Sequence, residues 1–211
     1  GHSERRVFHH KDSTGLEIER ALLNKIEEHS NIDMLEDHFA IDLITQHHLG
    51  KLVKRHMTDI ECYGAYVLNL KTSEVLKILS KTTLLASGGA GNLYSTTTNP
   101  IIATGDGVAM VYRAKGIIEN MEFVQFHPTC FFNRQVKNFL ISEAVRGEDG
   151  KLINQQGHPF MLQYDKRGDL ATRDAVAQGI DAEMKKSGAD CVYLDGRRHI
   201  DLLRLLLRGA L

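Results

Sequence analysis

"NMEFVQFHPT", residues 120–129, is a short run that stops at a proline. Met121, Phe123 and a second apolar set alternate with Glu122 and Gln125, the pattern of a half-buried strand. Gln125 and His127 stand two residues apart, so on a strand they share one face. A face that carries an amide and an imidazole is expected to look at something polar. The rest of the chain is read outward from it.

Downstream, "FLISEAVRGEDG" (139–150) places Ser142, Glu143 and Arg146 within one helical turn. Glu143 and Arg146 are i, i+3 neighbours, and read alone they make a surface ion pair. They equally suit a dicarboxylate site, because Arg offers a planar fork to a carboxylate and Ser a hydroxyl donor. "DLATRDAV" (169–176) puts Arg173 in the first turn of a helix capped by Thr172 and ended by Gly188. A cation there opposes the helix dipole, and Asp174 partly offsets it. Either Arg173 is a plain exposed side chain or it is held in place for a purpose.

Upstream, "LLASGGAG" (84–91) sets a strand end against a glycine-rich turn. Glycine lets backbone approach a ligand closely, and α/β folds bind ligands beyond the carboxyl ends of strands. A tight turn between elements explains the same residues. There is no GxGxxG, so this is not the primary pyrophosphate motif. "TGDGVAM" (104–110) places Asp106 at a helix start, as a cap or as an acceptor for a ligand hydroxyl.

The remaining elements follow from pattern. Thr14 and Glu17 are placed for a capping box before the apolar stripe Ile18, Leu22, Ile26. Residues 32–36 and 39–44 read as short strands. Residues 62–70 and 74–79, joined by "KTS", read as a hairpin. Residues 82–87 read as an apolar strand, and 105–116 as a helix stopped by Gly116. Residues 139–147 read as a short helix, 151–161 as a hairpin and 190–195 as a strand. A soft boundary falls near residue 118.

At 211 residues the chain can hold one large domain or two small ones. A net charge of −1 provides no basic stripe for nucleic acid and no acidic tail. No apolar run reaches membrane-spanning length, and no signal peptide is visible. Cys62, Cys130 and Cys191 lie far apart without metal or redox spacing, which suits buried thiols in a reducing cytosol. His9-His10 and His47-His48 lack any supporting metal motif and read as surface residues, so no metal is expected.

Taken in order, "GHSERRVFHHKDSTGLEIERALL", "LLASGGAGNLYSTTTNP", "ATGDGVAMVYRAKG", "NMEFVQFHPT", "FLISEAVRGEDG" and "DLATRDAV" resemble the succinate dehydrogenase/fumarate reductase flavoprotein family. The resemblance covers about residues 1–195. Within the family, "GHSERR", "KDSTG" and "NFLISEAVRGE" look most like the members that oxidise L-aspartate at the start of NAD synthesis.

The resemblance implies an α/β fold: an incomplete FAD-binding Rossmann-like domain over 1–118, followed by part of an α+β capping domain over 119–211. It implies FAD as cofactor, contacted by the Ala40-Ile41 backbone, by the turn Ala86, Ser87, Gly88, Gly89, and by Asp106. It implies that Gln125, His127 and Ser142 bind substrate. It implies that Arg173 exchanges a proton with substrate carbon in a relay with Glu143 and Arg146. The implied chemistry is hydride transfer from the α-carbon of L-aspartate to flavin, giving iminoaspartate, with oxygen or fumarate reoxidising the flavin in the cytoplasm. Quinolinate synthase is a partner by pathway logic.

Departures from the family pattern set further expectations. The dinucleotide glycines, a glutamate before "GHS", and a later segment with a second substrate histidine and arginine are not in this chain. "GEDG" replaces the usual "GEGG" or "GFGG", and "GRRHIDLLRLLLRGAL" (196–211) matches nothing expected there. This chain alone is therefore expected to bind FAD weakly or not at all, and to be inactive. The competing readings are a fumarate reductase or succinate dehydrogenase subunit, and a non-catalytic remnant.

Overall fold

The computed structural model describes residues 8–10, 13–133 and 139–196, and the backbone of 204–208. They form two compact units. The first holds the described residues up to Leu84 together with Arg113–Gly116, and the second holds Leu85–Tyr112 and the described residues from Ile117 onward.

The first unit opens with α1 (Thr14–Glu27). The expected capping box is absent. Ser13 is the N-cap, without a side-chain bond, and the Glu17 carboxylate is taken by Arg20, with Nε at 2.9 Å. A full guanidinium one turn away is a stronger partner than a backbone amide. The helix is amphipathic, but none of its residues is buried.

Three strands follow: β1 (His38–Thr45), β2 (Cys62–Asn69) and β3 (Val75–Leu79), in an antiparallel sheet of that order. The hairpin expected for β2 and β3 forms. Its tip is tied by Asn69, whose Oδ1 accepts the Lys71 and Thr72 amides. Gly64 has φ +137° and lies so close to Ile78 that a Cβ would meet its carbonyl oxygen at 1.9 Å, so no larger residue fits there. The expected strand at 32–36 is irregular. Only the following segment pairs with β2, and an unpaired edge residue has nothing to fix it in a ladder. The β1 register slips between Ala40 and Asp42, so Ile41 sits in a bulge.

The second unit contains α2 (Asp106–Arg113) from its start to Tyr112. The helix stops three residues before Gly116. Its sheet is β5-β4-β8-β7-β6, antiparallel throughout: β4 (Cys130–Phe131), β5 (Phe139–Leu140), β6 (Lys151–Ile153), β7 (Val192–Asp195) and β8 (Arg204–Arg208). Part of the unmatched tail thus enters the sheet as β8, between β4 and β7. The rest of 197–211 lies outside the described residues. The expected hairpin at 151–161 is a tight return, with Ile153 bridging Pro159.

Two further expected strands are not laddered. Residues 82–87 and 122–126 are irregular, and no described strand pairs with either. Alternation and an apolar run specify faces, but a strand exists only where a neighbour takes its N–H and C=O groups. The expected helix at 139–147 divides. Phe139 and Leu140 extend against β4, and only α3 (Ala144–Gly147) is helical.

α4 (Arg173–Ser187) ends as expected at Gly188, in the left-handed region. Its buried residues Val176, Gly179, Ile180 and Glu183 follow i, i+3, i+4, i+7. They face a core of Leu152, Phe160, Met161, Val192 and Leu194. Cys130 and Cys191 are buried, and burial raises both thiols above their ordinary range, so both are inert at neutral pH. Among the described residues, no helix is long and apolar enough to cross a membrane. Replacing Ile180 with Ala should leave a cavity at the centre of this core and lower stability by about 2–5 kcal/mol, read as a drop in the denaturant midpoint.

Candidate active site

The stripe that buries α4 also aims Arg173. Positions 173, 176 and 180 are i, i+3 and i+7, so the first residue of the helix lies on its core-facing side. There the guanidinium meets Glu143, just before α3. Nε and Nη2 of Arg173 donate to Oε1 and Oε2 at 3.1 Å each, a two-pronged pair. The third nitrogen, Nη1, donates to Gln125 Oε1 at 3.2 Å. Glu143 Oε1 also accepts from Arg146 Nη2 at 3.0 Å. One carboxylate thus bridges two guanidinium groups. Glu143 and Arg146 are the i, i+3 pair expected from sequence, but Arg146 is buried rather than on the surface.

His127 is half-buried and lines the same cleft as Gln125 and Arg173. Although no strand forms, the two-residue spacing still brings Gln125 and His127 to one side. Burial holds the imidazole below its ordinary pKa, and the Arg173 charge adds to that. Thr129, fully buried, donates its backbone N–H to His127 Nδ1 at 3.3 Å. The Thr129 hydroxyl is already donating to the Ile141 carbonyl at 2.9 Å. With Nδ1 accepting, neutral His127 carries its proton on Nε2. The Arg173 hydrogen bonds lower the Glu143 pKa, so Glu143 is ionised. Glu143 in turn raises Arg173 above its already high value. Arg146, Arg173 and Glu143 together carry one net positive charge.

The cleft encloses about 290 Å³, space for a small metabolite rather than a dinucleotide. Its lining also includes Tyr94, Asn99 and Phe126, with the Tyr94 and Phe126 rings edge-to-face at 5.2 Å. Sequence reasoning passed over Thr129, Tyr94 and Asn99. "STTTNP" (95–100) has no apolar periodicity to mark a wall, and nothing in a lone threonine announces burial. Ser142 is exposed, and its Oγ accepts the Ala144 amide at 3.2 Å.

The expected cofactor residues fall in both units. In the second, Ala86, Ser87, Gly88 and Gly89 are exposed beside the start of α2. Gly105 N–H donates to the Gly89 carbonyl at 3.1 Å. A Cβ on Gly107 would meet Ser87 Oγ at 2.0 Å, so a larger residue there would push the serine hydroxyl aside. Asp106 is the first helical residue rather than the cap, and its carboxylate accepts the Thr104 hydroxyl at 2.9 Å. Exposed backbone packed against a helix start suits an anionic, phosphate-bearing cofactor. In the first unit, Ala40 and Ile41 flank the β1 bulge, and the Ile41 carbonyl accepts from Arg113 Nη2 at 2.9 Å. The histidine pairs His9-His10 and His47-His48 are exposed.

A family model described as FAD binding domain matches residues 1–205. The chain belongs to the FAD binding domain family. FAD is the cofactor that membership implies, and the exposed turn at 86–89 fits it. The chain is 52% identical over 195 residues to L-aspartate oxidase 1 of Ralstonia nicotianae, covering 92% of this chain and 36% of that protein. It is 50% identical to L-aspartate oxidase 2-a, chloroplastic, of Nicotiana tabacum (92% and 30%), and 48% identical to L-aspartate oxidase of Yersinia pestis (92% and 36%). The chain thus spans about a third of the length of these curated relatives. Among solved structures, an E. coli quinol fumarate reductase matches with a TM-score of 0.74 at 23% identity, over 93% of this chain and 38% of that one. A flavocytochrome c3 fumarate reductase in its open conformation matches at 0.58 and 28%, over 88% and 30%. The α/β fold is that of this flavoprotein domain.

Replacing Arg173 with Gln should raise the pKa values of both Glu143 and His127, since the Arg173 charge depresses each. An imidazole titration by NMR checks the histidine. In the unaltered protein, the stability contributed by neutral His127 is full above the ordinary imidazole range and is lost as pH falls through its lowered pKa.

Proposed function

We propose that the full-length protein carrying this chain is an FAD-dependent oxidase of L-aspartate that yields iminoaspartate, with oxygen or fumarate as electron acceptor. The observation that carries this is the two-pronged Arg173–Glu143 pair beside Gln125 and a neutral His127 on one small cleft. The identity of about half the residues with L-aspartate oxidases supports aspartate as substrate. A fumarate reductase or succinate dehydrogenase subunit is the rival, and its support is a likeness of fold. We assign residues 1–118 to the later part of the FAD-binding domain and 119–211 to the capping domain.

FAD, when bound, supplies the two-electron acceptor for the α-carbon; residues 86–89, Asp106 and the Ala40-Ile41 backbone would hold it. The chain's own residues bind and orient the substrate, and take up the proton that the amine loses as the α-carbon gives up hydride. The net positive charge of Arg146, Arg173 and Glu143 attracts a dicarboxylate. His127 donates Nε2–H to one carboxylate. Gln125, with its oxygen engaged by Arg173, offers its amide N–H groups as donors. Ser142 keeps its own O–H to donate, since its oxygen accepts from Ala144. Arg173 does not lose a proton unaided, because Glu143 holds it above its ordinary pKa. Glu143 and Arg146 therefore act with it as one relay.

An imine of this kind hydrolyses in water, which calls for a prompt consumer, and a quinolinate synthase is the partner we propose. Three free thiols fit a reducing compartment, and we place the protein in the cytoplasm.

The test is a visible spectrum of the purified full-length protein with FAD, taken without oxygen. Bleaching by L-aspartate and not by succinate supports the oxidase; bleaching by succinate favours the rival; no bound flavin favours a remnant. Arg173→Lys keeps the charge but loses the planar fork, and should lower turnover roughly 100-fold or more. Unchanged turnover in that variant would sink the relay.

A further inference from the structure

Behind the cleft lies a buried support. The Arg146 guanidinium is held, among the described residues, by two bonds. Nη2 donates to Glu143 Oε1 at 3.0 Å, and Nη1 to the Asp169 carbonyl at 2.6 Å. Nε has no described partner. A buried cation with so few anchors takes its position from them, because any drift leaves it unpaired in a poorly solvating place. Glu143 is the partly exposed anchor, shared with Arg173. Asp169 is the buried one.

Asp169 sits in the short turn Gly168–Leu170. Its Oδ1 accepts the Leu152 amide at 2.9 Å, and Leu152 belongs to β6 and is fully buried. Its Oδ2 lies 3.7 Å from Lys151 Nζ. The side chain thus ties the turn to the sheet, while the carbonyl of the same residue seats Arg146. The turn runs directly into α4, whose first residue is Arg173.

We propose that Asp169 is a positioning residue for the cleft: its carboxylate, pinned by Leu152, fixes the carbonyl that seats Arg146, and so sets the angle at which Glu143 holds Arg173. The inference deepens the aspartate-oxidase reading and rests on it. Asp169 touches neither substrate nor flavin in this scheme. It acts through the geometry of Arg146 and through the start of α4.

The test uses two variants of the full-length protein. Asp169→Ala removes the acceptor for Leu152, whereas Asp169→Asn keeps it. In Asp169→Ala, kcat with L-aspartate should fall roughly 10- to 100-fold. KM should stay within about threefold, because the variant leaves His127 and the charges of Arg146 and Arg173 in place. The acid limb of the kcat–pH profile should move to higher pH, as a displaced Arg146 no longer helps keep Glu143 ionised. A role in folding alone would lower the yield of active protein without moving that limb. Asp169→Asn should return kcat to within about threefold of the original, with the limb restored.

A folded Asp169→Ala protein with unaltered kcat and acid limb overturns the proposal, and so does an Asp169→Asn protein as impaired as Asp169→Ala. If Asp169→Ala does not fold, Asp169→Glu, which keeps the acceptor but displaces the turn by one methylene, should show the same fall and the same shift. Absence of aspartate turnover in the unaltered protein counts against the oxidase reading instead. The positioning is then read from the nitrogen-15 signal of Arg173 Nε–H: movement in Asp169→Ala supports it, and an unmoved signal overturns it.

Discussion

Glu143 sits between two guanidinium groups, and most of the second unit is arranged so that it can. Arg146 is buried, and a buried cation is tolerated only when its neighbours compensate it closely. Glu143 supplies the charge and the Asp169 carbonyl supplies an acceptor. Arg173 takes both oxygens of the same carboxylate from the partly exposed side. The buried arginine therefore has the exposed one as its outer neighbour, and whatever enters the cleft meets Arg173 already oriented.

The same economy appears around His127. Burial and the nearby positive charge keep the ring neutral, and the Thr129 amide directs its proton to Nε2. Thr129 in turn is locked to Ile141 through both its backbone carbonyl and its hydroxyl. Ile141 leads straight into Ser142 and Glu143. A few pairings across residues 129–131 and 139–141 therefore place the histidine and the carboxylate together. This is why so short a pair of strands, β4 and β5, matters for the site.

Regular elements with their own periodicity were legible from sequence. The β2–β3 hairpin, β1, α1 and α4 lie where pattern and turn residues put them, and Gly188 ends α4 as its position suggested. Gln125, His127 and Arg173 stand out in sequence by their spacing and their place in an ordered set of family motifs, and the fold brings all three to one cleft. Residues 82–87 and 122–126 were misread as strands, because alternation carries no information about a hydrogen-bonding neighbour. The capping box at Thr14 failed for a similar reason: Glu17 had a better partner in Arg20 one turn on.

The amino-acid sequence by itself determined which residues could form the site and the order in which the chain delivers them. It also determined the helical stripe that turns Arg173 inward, since 3.6-residue periodicity is a local property. Only the tertiary structure decided that Arg146 is buried, that Thr129 sets the His127 tautomer, and that the Asp169 carbonyl holds a guanidinium from 23 residues away. Those facts depend on burial and on hydrogen bonds between distant segments. Neither is written in any local stretch of chain, because each requires the partner segment to be in place.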